Sequence, residues 1–107
     1  MTTAIVTGST KGIGKSTSML LAKNGFNVVI CSRNQKDVEE TVNEMNSLTN
    51  KKGLIKGYKC DTSVPIDVEN IVKWTIDTFG TIDVLVNNAG IAVYKDLLDT
   101  TLDNWYD

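Results

Sequence analysis

The chain has 107 residues, of which 41% are hydrophobic, which is enough for one domain with a modest core and too few for two. Its net charge of −2 excludes the broad basic field needed to bind nucleic acid or an anionic membrane surface. The chain has no histidine and only two cysteines. This excludes a zinc site, and it also excludes any mechanism that uses histidine as the general base.

The first segment combines a buried strand with a glycine-rich turn. Residues 3–6 form a short apolar run typical of a buried strand, and Gly8, Gly12 and Gly14 follow it closely. Glycines at a strand-to-helix turn permit a tight turn, close approach of a pyrophosphate and close helix packing. The free N–H groups at the helix start attract an anion. A helical period then follows, with Gly25 as a suitable C-terminal stop for the helix. The period is carried by Ile13, Thr17, Leu20, Leu21 and Asn24.

The middle of the chain predicts two more strands and the helix between them. A β-branched run over 26–31 is typical of a second strand, and Asn34 is placed to cap the next helix. A turn at 50–53 precedes a third strand over 54–60, whose partial alternation favours a position near a sheet edge. The helix between them carries an apolar stripe of Val38, Val42, Met45 and Leu48.

Two cysteines close the second and third strands. Neighbouring strands would bring Cys31 and Cys60 close together. We expect a reduced, buried pair that acts as small hydrophobic side chains, and a disulfide or a reactive thiol is the alternative.

The last part of the chain predicts a third helix, a fourth strand and a further helix. Ser63 is a candidate cap ahead of Pro65, and Gly80 is a candidate stop. A nearly continuous apolar run over 83–87 predicts the fourth strand, and residues 91–100 have the character of a loop. The stripe of the third helix is Val68, Ile71, Val72, Thr75 and Phe79.

The order β-α-β-α-β-α-β predicts an α/β fold of Rossmann type, a doubly wound parallel sheet with helices on both faces. A further helix starts at Thr101 and has only about six residues, which is marginal for an isolated helix. We therefore expect residues 1–107 to be a single nucleotide-binding domain that is incomplete at its C-terminal end.

Four separated features share their order and spacing with one known family. They are the motif T-G-x-x-x-G-x-G at 7–14, Asp61 after the third strand, the run N-N-A-G at 87–90, and Trp105 in the last helix. Together they resemble the N-terminal, cofactor-binding half of a short-chain dehydrogenase/reductase. The resemblance implies a Rossmann sheet and a nicotinamide dinucleotide that carries hydride.

The resemblance also implies cofactor contacts. Asp61 would accept a hydrogen bond from the adenine amino group, with Thr62 beside it; the alternative is an ordinary turn aspartate. Asn87 would help to hold the central sheet together. The pyrophosphate and ribose would lie along Gly8, Ser9, Gly12, Ile13 and Gly14. The adenosine ribose would lie along Asn88, Ala89 and Gly90.

The end of the second strand decides between the two nicotinamide dinucleotides. A site for NAD needs a carboxylate there for the ribose hydroxyls, but this chain has Ser32 followed by Arg33. Lys11, directly before Gly12, resembles the family's pattern for NADP. An arginine can grip a 2′-phosphate with paired N–H donors, and a lysine adds a point charge. The sequence therefore favours NADP, with two solvated surface cations as the alternative.

The resemblance assigns no catalytic residue within the chain. The family's proton relay uses an asparagine, a serine, a tyrosine and a lysine that would follow residue 107. Tyr94 and Tyr106 do not replace the tyrosine, because neither has a lysine four residues later. We expect a carbonyl or alcohol substrate in the complete protein and no turnover by this chain alone.

Three further expectations concern partners, location and rival functions. In the family's strand order the fourth strand lies between two neighbours, so a homo-oligomer, a partner chain or a longer parent protein is expected to cover it. No apolar run reaches the roughly 18 residues of a membrane helix and residues 1–3 do not look like a signal peptide, so we expect a cytoplasmic protein. The alternatives are a non-catalytic NADP-binding or interaction module, and a methyltransferase, which would want an acidic residue at Ser32.

Overall fold

A computed structural model of the chain describes residues 2–49 and 54–87. They form alternating strands and helices in the predicted order. The predicted turn at 50–53, the run 88–90 (Asn88, Ala89 and Gly90), the loop over 91–100 and the helix from Thr101 lie outside the described residues. The elements are β1 (Thr3–Val6), α1 (Gly12–Lys23), β2 (Asn27–Ser32), α2 (Gln35–Leu48), β3 (Ile55–Lys59), α3 (Pro65–Phe79) and β4 (Val84–Val86).

The four strands form one parallel sheet in the order β3-β2-β1-β4. β1 is central and completely buried, with Val6 paired to Ile30 of β2 on one side and to Val86 of β4 on the other. Such a strand must be apolar on both faces, which is why its sequence shows no alternation. The predicted Rossmann-type sheet is confirmed, and β3 lies at an edge as expected.

Helices cover both faces of the sheet. Successive residues of a strand point to opposite sides, so Ile5 packs in a cluster with Ile71 of α3, while Val6 packs in a second cluster with Ala22 of α1 and Met45 of α2. All five side chains are fully buried. Because the strands are parallel, the turns that leave the carboxyl ends of β1, β2 and β3 lie side by side along the same edge of the sheet, the one formed by the strand ends.

The apolar period of helix α1 is only partly buried: Leu21 packs against the core, but other members do not. Ile13 and Leu20 are 77% and 63% exposed, and the buried residues are Gly14, Ser18 and Ala22. These three small residues are spaced four apart, so they share one face and let the helix axis approach the sheet closely. Large apolar residues such as Ile13 and Leu20 are therefore not a guide to the buried face of α1, because close packing of the helix on the sheet favours small side chains. In α2, Leu48 of the predicted stripe is likewise 59% exposed.

The ends of the helices follow local chemistry. The Asn34 side chain accepts hydrogen bonds from the backbone N–H groups of Lys36 and Asp37, which confirms it as the cap of α2. Gly25 follows α1 with φ 89°, and Gly80 ends α3 with φ 84°, as a left-handed cap requires. The prediction for Ser63 is wrong.

The residue that caps α3 is Val64, without a side-chain hydrogen bond, and Pro65 occupies the first helical position. Proline tolerates that position because it has no N–H group that would need a partner there. The Ser63 hydroxyl is bonded to Asp61 instead. Among the described helices, none is long and apolar enough to cross a membrane.

Candidate functional site

A cleft of about 840 Å³ lies beyond the carboxyl ends of β1, β2 and β3. In open parallel sheets, ligands bind in this position because the strand-to-helix turns converge there. Six of the predicted cofactor residues line the cleft, namely Gly8, Lys11, Ser32, Arg33, Asp61 and Thr62. Ser9, Gly12, Ile13 and Gly14 lie in the adjoining turn and the start of α1, outside the lining. Asn88, Ala89 and Gly90 fall beyond the described residues.

The glycine turn has the backbone conformation that its sequence requires. Gly8 and Gly12 have φ values of 58° and 56°, in the left-handed region that favours glycine. A Cβ at Gly12 would meet no atom within 4 Å, so the demand there is conformational rather than steric. Lys11 caps α1 without a side-chain hydrogen bond, and the first turn contains no acidic residue. The first-turn N–H groups are therefore left to solvent or to an anion.

Ser9 braces the strand ends from inside the fold. Its side chain is fully buried, and its hydroxyl donates to the Val6 carbonyl oxygen at 2.7 Å and accepts the Cys31 N–H at 2.9 Å. Its own N–H donates to the Cys31 carbonyl oxygen at 3.3 Å. Ser9 thus fixes the spacing of β1 and β2 where both strands reach the cleft.

Two cations lie at the cleft without ion-pair partners. Lys11 and Arg33 are exposed, and neither forms a salt bridge with any residue in the described ranges. Beside Arg33, the Ser32 hydroxyl accepts the Asn34 N–H at 3.1 Å, which orders the turn between β2 and α2. Asp37, in the first turn of α2, also lines the cleft. Lys11 and Arg33 are thus available to bind an anion in the cleft. The negative charge of Asp37 would repel the same anion.

Asp61 is a charged acceptor held in a defined orientation. Its Oδ1 accepts the Ser63 hydroxyl at 2.6 Å and the Ser63 N–H at 2.9 Å. These two bonds, with a smaller contribution from the Arg33 charge, hold the pKa of Asp61 below its ordinary value. Asp61 is therefore ionised at neutral pH.

Cys31 and Cys60 both line the cleft as free thiols, and the predicted burial of the pair is confirmed. A hydrogen bond shared with Cys60, together with burial, raises the pKa of Cys31. The Cys31 thiol therefore stays protonated at neutral pH and forms part of the cleft wall.

Thr7 links the central strand to β4. Its N–H donates to the Val86 carbonyl oxygen at 2.9 Å, and its hydroxyl lies 3.2 Å from Asn87 Oδ1. The side chain of Asn87 is thus held against the end of β1, at the same edge of the sheet as the cleft.

Several residues of the cleft were not anticipated as site residues, among them Thr10, Asn34, Asp37 and Ser63. Asn34 and Ser63 carried only helix-capping signals. A search for polar residues within a few positions of each strand's carboxyl end would have found them, because all of those turns meet at one edge. In the described part of the chain, no group of three or more acidic, cysteine or histidine side chains could hold a metal ion.

Comparison with known proteins identifies the family of this chain and several relatives. A family model described as short chain dehydrogenase matches residues 2–107. Farnesol dehydrogenase of Aedes aegypti is 41% identical over 97 residues, which are 91% of this chain and 39% of that protein. The chain thus spans about two fifths of the length of such curated relatives.

Solved structures superpose on the same elements. Menthone neomenthol reductase from Mentha piperita aligns with a TM-score of 0.77 at 34% identity, over 84% of this chain and 32% of that one. A metagenomic short-chain oxidoreductase in complex with NADP aligns with a TM-score of 0.74 at 29% identity, over 84% of this chain and 39% of that one.

Proposed function

The chain belongs to the short-chain dehydrogenase family, and from that premise we propose that it forms the cofactor-binding half of an NADP-dependent oxidoreductase. The complete protein would interconvert a carbonyl compound and an alcohol. When bound, NADP supplies the hydride acceptor, or NADPH the donor, and the residues of this chain bind and orient it.

The observation that carries the choice of NADP is a pair of cations at the cleft that form no salt bridge with the described residues. A 2′-phosphate adds about two negative charges to the adenosine ribose. Lys11 and Arg33 are exposed and free of salt bridges within the described ranges, so a phosphate would gain both interactions without breaking an existing ion pair. A ribose with two free hydroxyls would instead want an acceptor, and Ser32 stands where the carboxylate would be.

The glycine turn fits the pyrophosphate of the same ligand. Gly8 lines the cleft and Gly12 opens α1, and both have the left-handed conformation that turns the chain tightly. The uncapped first turn of α1 supplies N–H donors and the positive end of the helix dipole. Gly14 is buried, so this segment packs closely on the sheet while its outer surface receives the phosphates. Ile13, exposed beside it, would cover the cofactor's far side.

The adenine would lie against the turn after β3. The ionised carboxylate of Asp61 would accept the amino group, with Thr62 forming the neighbouring wall. The ribose would extend toward Asn88, Ala89 and Gly90. The substrate pocket and the proton relay would come from the part of the parent protein that corresponds to the remaining three fifths of the relatives.

Binding and turnover by the full-length protein test the proposal. Isothermal calorimetry with NADPH and NADH should give at least about tenfold tighter binding of NADPH, the ratio that one charge-assisted contact supplies. Loss of nicotinamide absorbance with a panel of ketones and aldehydes should show turnover. Equal affinities would refute the NADP assignment. Tight NADPH binding with no turnover on any carbonyl would favour the non-catalytic binding module.

A further inference from the structure

The hydrogen bonds of Asp61 leave one of its oxygen atoms open. Its N–H donates to Asp67 Oδ2 at 3.0 Å, and its carbonyl oxygen accepts the Val64 N–H at 2.9 Å. Its Oδ1 accepts both the hydroxyl and the N–H of Ser63. Within the described ranges, Oδ2 accepts no hydrogen bond. Because Asp61 lines the cleft, its Oδ2 is available to accept a hydrogen bond from a ligand there.

This arrangement follows from how α3 begins. The helix starts at Pro65 with Val64 in the cap position, so Ser63 lies one residue before the cap and its hydroxyl bonds Asp61 instead. Pro65 fixes the backbone at the first helical position. From the first turn of the helix, Asp67 reaches back to the Asp61 N–H. The turn is thus closed by three separate contacts around a single residue.

We propose that Ser63 is a positioning residue, which holds the Asp61 carboxylate so that Oδ2 points its acceptor at the amino group of the cofactor's adenine; this rests on the proposed function. Asp67 contributes by anchoring the Asp61 backbone. Ser63 itself touches no cofactor atom in this scheme and acts through Asp61.

The physical gain is orientation that is set before binding. An aspartate on a turn otherwise rotates among several χ1 and χ2 states, and a ligand must select one of them at a cost in affinity. Two hydrogen bonds from Ser63 restrict Asp61 to one state in the free protein. They also keep the carboxylate ionised, so Oδ2 can accept a hydrogen bond but cannot donate one. The site should therefore favour a base that carries an amino group over one that carries a carbonyl at the same position.

Cofactor analogues make this testable in the full-length protein. The probes are NADPH and its hypoxanthine counterpart, in which a carbonyl oxygen replaces the adenine amino group. The variant Ser63→Ala removes the hydroxyl, and Ser63→Thr restores it. Ser47→Ala is the matched control, because that exposed hydroxyl donates to the Glu44 carbonyl oxygen on α2, away from the cleft.

We expect the wild type to bind NADPH about tenfold more tightly than the hypoxanthine analogue. Ser63→Ala should weaken NADPH binding about fivefold, the value of one net hydrogen bond expressed as a ratio, and change analogue binding less than about twofold. Ser63→Thr should recover most of the loss, and Ser47→Ala should match the wild type. Fluorescence titration of the bound nicotinamide gives all the affinities.

The possible failures are distinguishable. If the wild type binds neither cofactor, the proposed function fails. If the wild type binds NADPH tightly but does not discriminate against the analogue, Asp61 does not recognise the amino group, and the positioning role fails with it. An equal loss for both cofactors in Ser63→Ala would mean that the serine only supports the fold, and an unchanged affinity would mean that it contributes nothing.

Discussion

Arg33→Ala is the most direct perturbation of cofactor choice. Two opposite unit charges 4 Å apart interact by about 1 kcal/mol in bulk water and by about 4 kcal/mol at the effective dielectric constant typical of protein surfaces. A hydrogen bond to a charged group contributes roughly 1.5 to 3 kcal/mol, and because Arg33 is exposed its bond to a 2′-phosphate belongs near the lower end, at about 1.5 to 2 kcal/mol. Since 1.4 kcal/mol corresponds to a factor of ten, NADPH binding should weaken about 10- to 30-fold.

The same substitution should leave NADH binding within about twofold of the wild type, because NADH has no 2′-phosphate for Arg33 to contact. Calorimetric titration of both cofactors in the full-length protein measures the ratio. Raising the ionic strength should shrink the loss, since exposed charges are screened. Thermal stability should change little, because Arg33 forms no salt bridge with the described residues and makes only the smaller contribution to the lowered pKa of Asp61.

Lys36→Ala is the matched control. It removes the same charge from the first turn of α2, three residues further along the chain. Lys36 does not line the cleft, and its ammonium group lies 4.0 Å from Glu40 Oε1 on the solvent side of the helix. We expect it to affect the two cofactors equally and weakly. If Arg33→Ala weakened both cofactors equally, or if Lys36→Ala matched its effect on NADPH, the argument that Arg33 contacts the 2′-phosphate would be refuted.

Three further substitutions test the frame around the cleft, with urea denaturation as the common assay. Gly57→Ala would place a Cβ 2.8 Å from Val42 Cγ2 and closer still to Val38 Cγ1, so α2 must move off β3 at a cost of about 1 to 3 kcal/mol. Ser9→Ala would leave the buried Cys31 N–H without its acceptor, again at about 1 to 3 kcal/mol. Asp61→Asn should be less stable than the wild type at neutral pH. Because the folded-state pKa of Asp61 lies below the ordinary value of 3.8, this difference should shrink as the pH falls below 3.8. An unchanged midpoint in any one of these variants, or a pH-independent difference for Asp61→Asn, would refute the contact that it tests.

The sequence was sufficient for the order and direction of the elements. An apolar run without alternation indicated the buried strand β1, and Gly25 and Gly80 marked the helix ends, since each needs a positive φ that other residues avoid. These signals are local, and each is carried by the residue whose backbone it describes. The alternation of strands and helices predicted a parallel sheet, and the strand order was implied by the resemblance to the family.

The sequence was a poorer guide to which side of a helix is buried and which side chains meet in the cleft. In α1 the buried face consists of Gly14, Ser18 and Ala22, whose small size, rather than hydrophobicity, fits the narrow space above the sheet. Ser63 had the residue type and spacing of a helix cap, yet it bonds Asp61. Both outcomes depend on distances between segments, which a single sequence does not encode by periodicity.

Hydrogen-bond occupancy separates two kinds of residue around the cleft. The hydroxyls of Ser9 and Ser63 are already engaged within the fold, so a ligand that used them would first have to break an existing bond. Lys11, Arg33 and the Oδ2 atom of Asp61 have no hydrogen-bond partner in the described part of the chain, so a contact there breaks no internal hydrogen bond. Direct contacts with the cofactor should therefore be concentrated on the open groups, while the engaged groups act through them. On this basis, changes at Arg33 should alter cofactor selectivity far more than the stability of the fold, and changes at Ser9 should do the reverse.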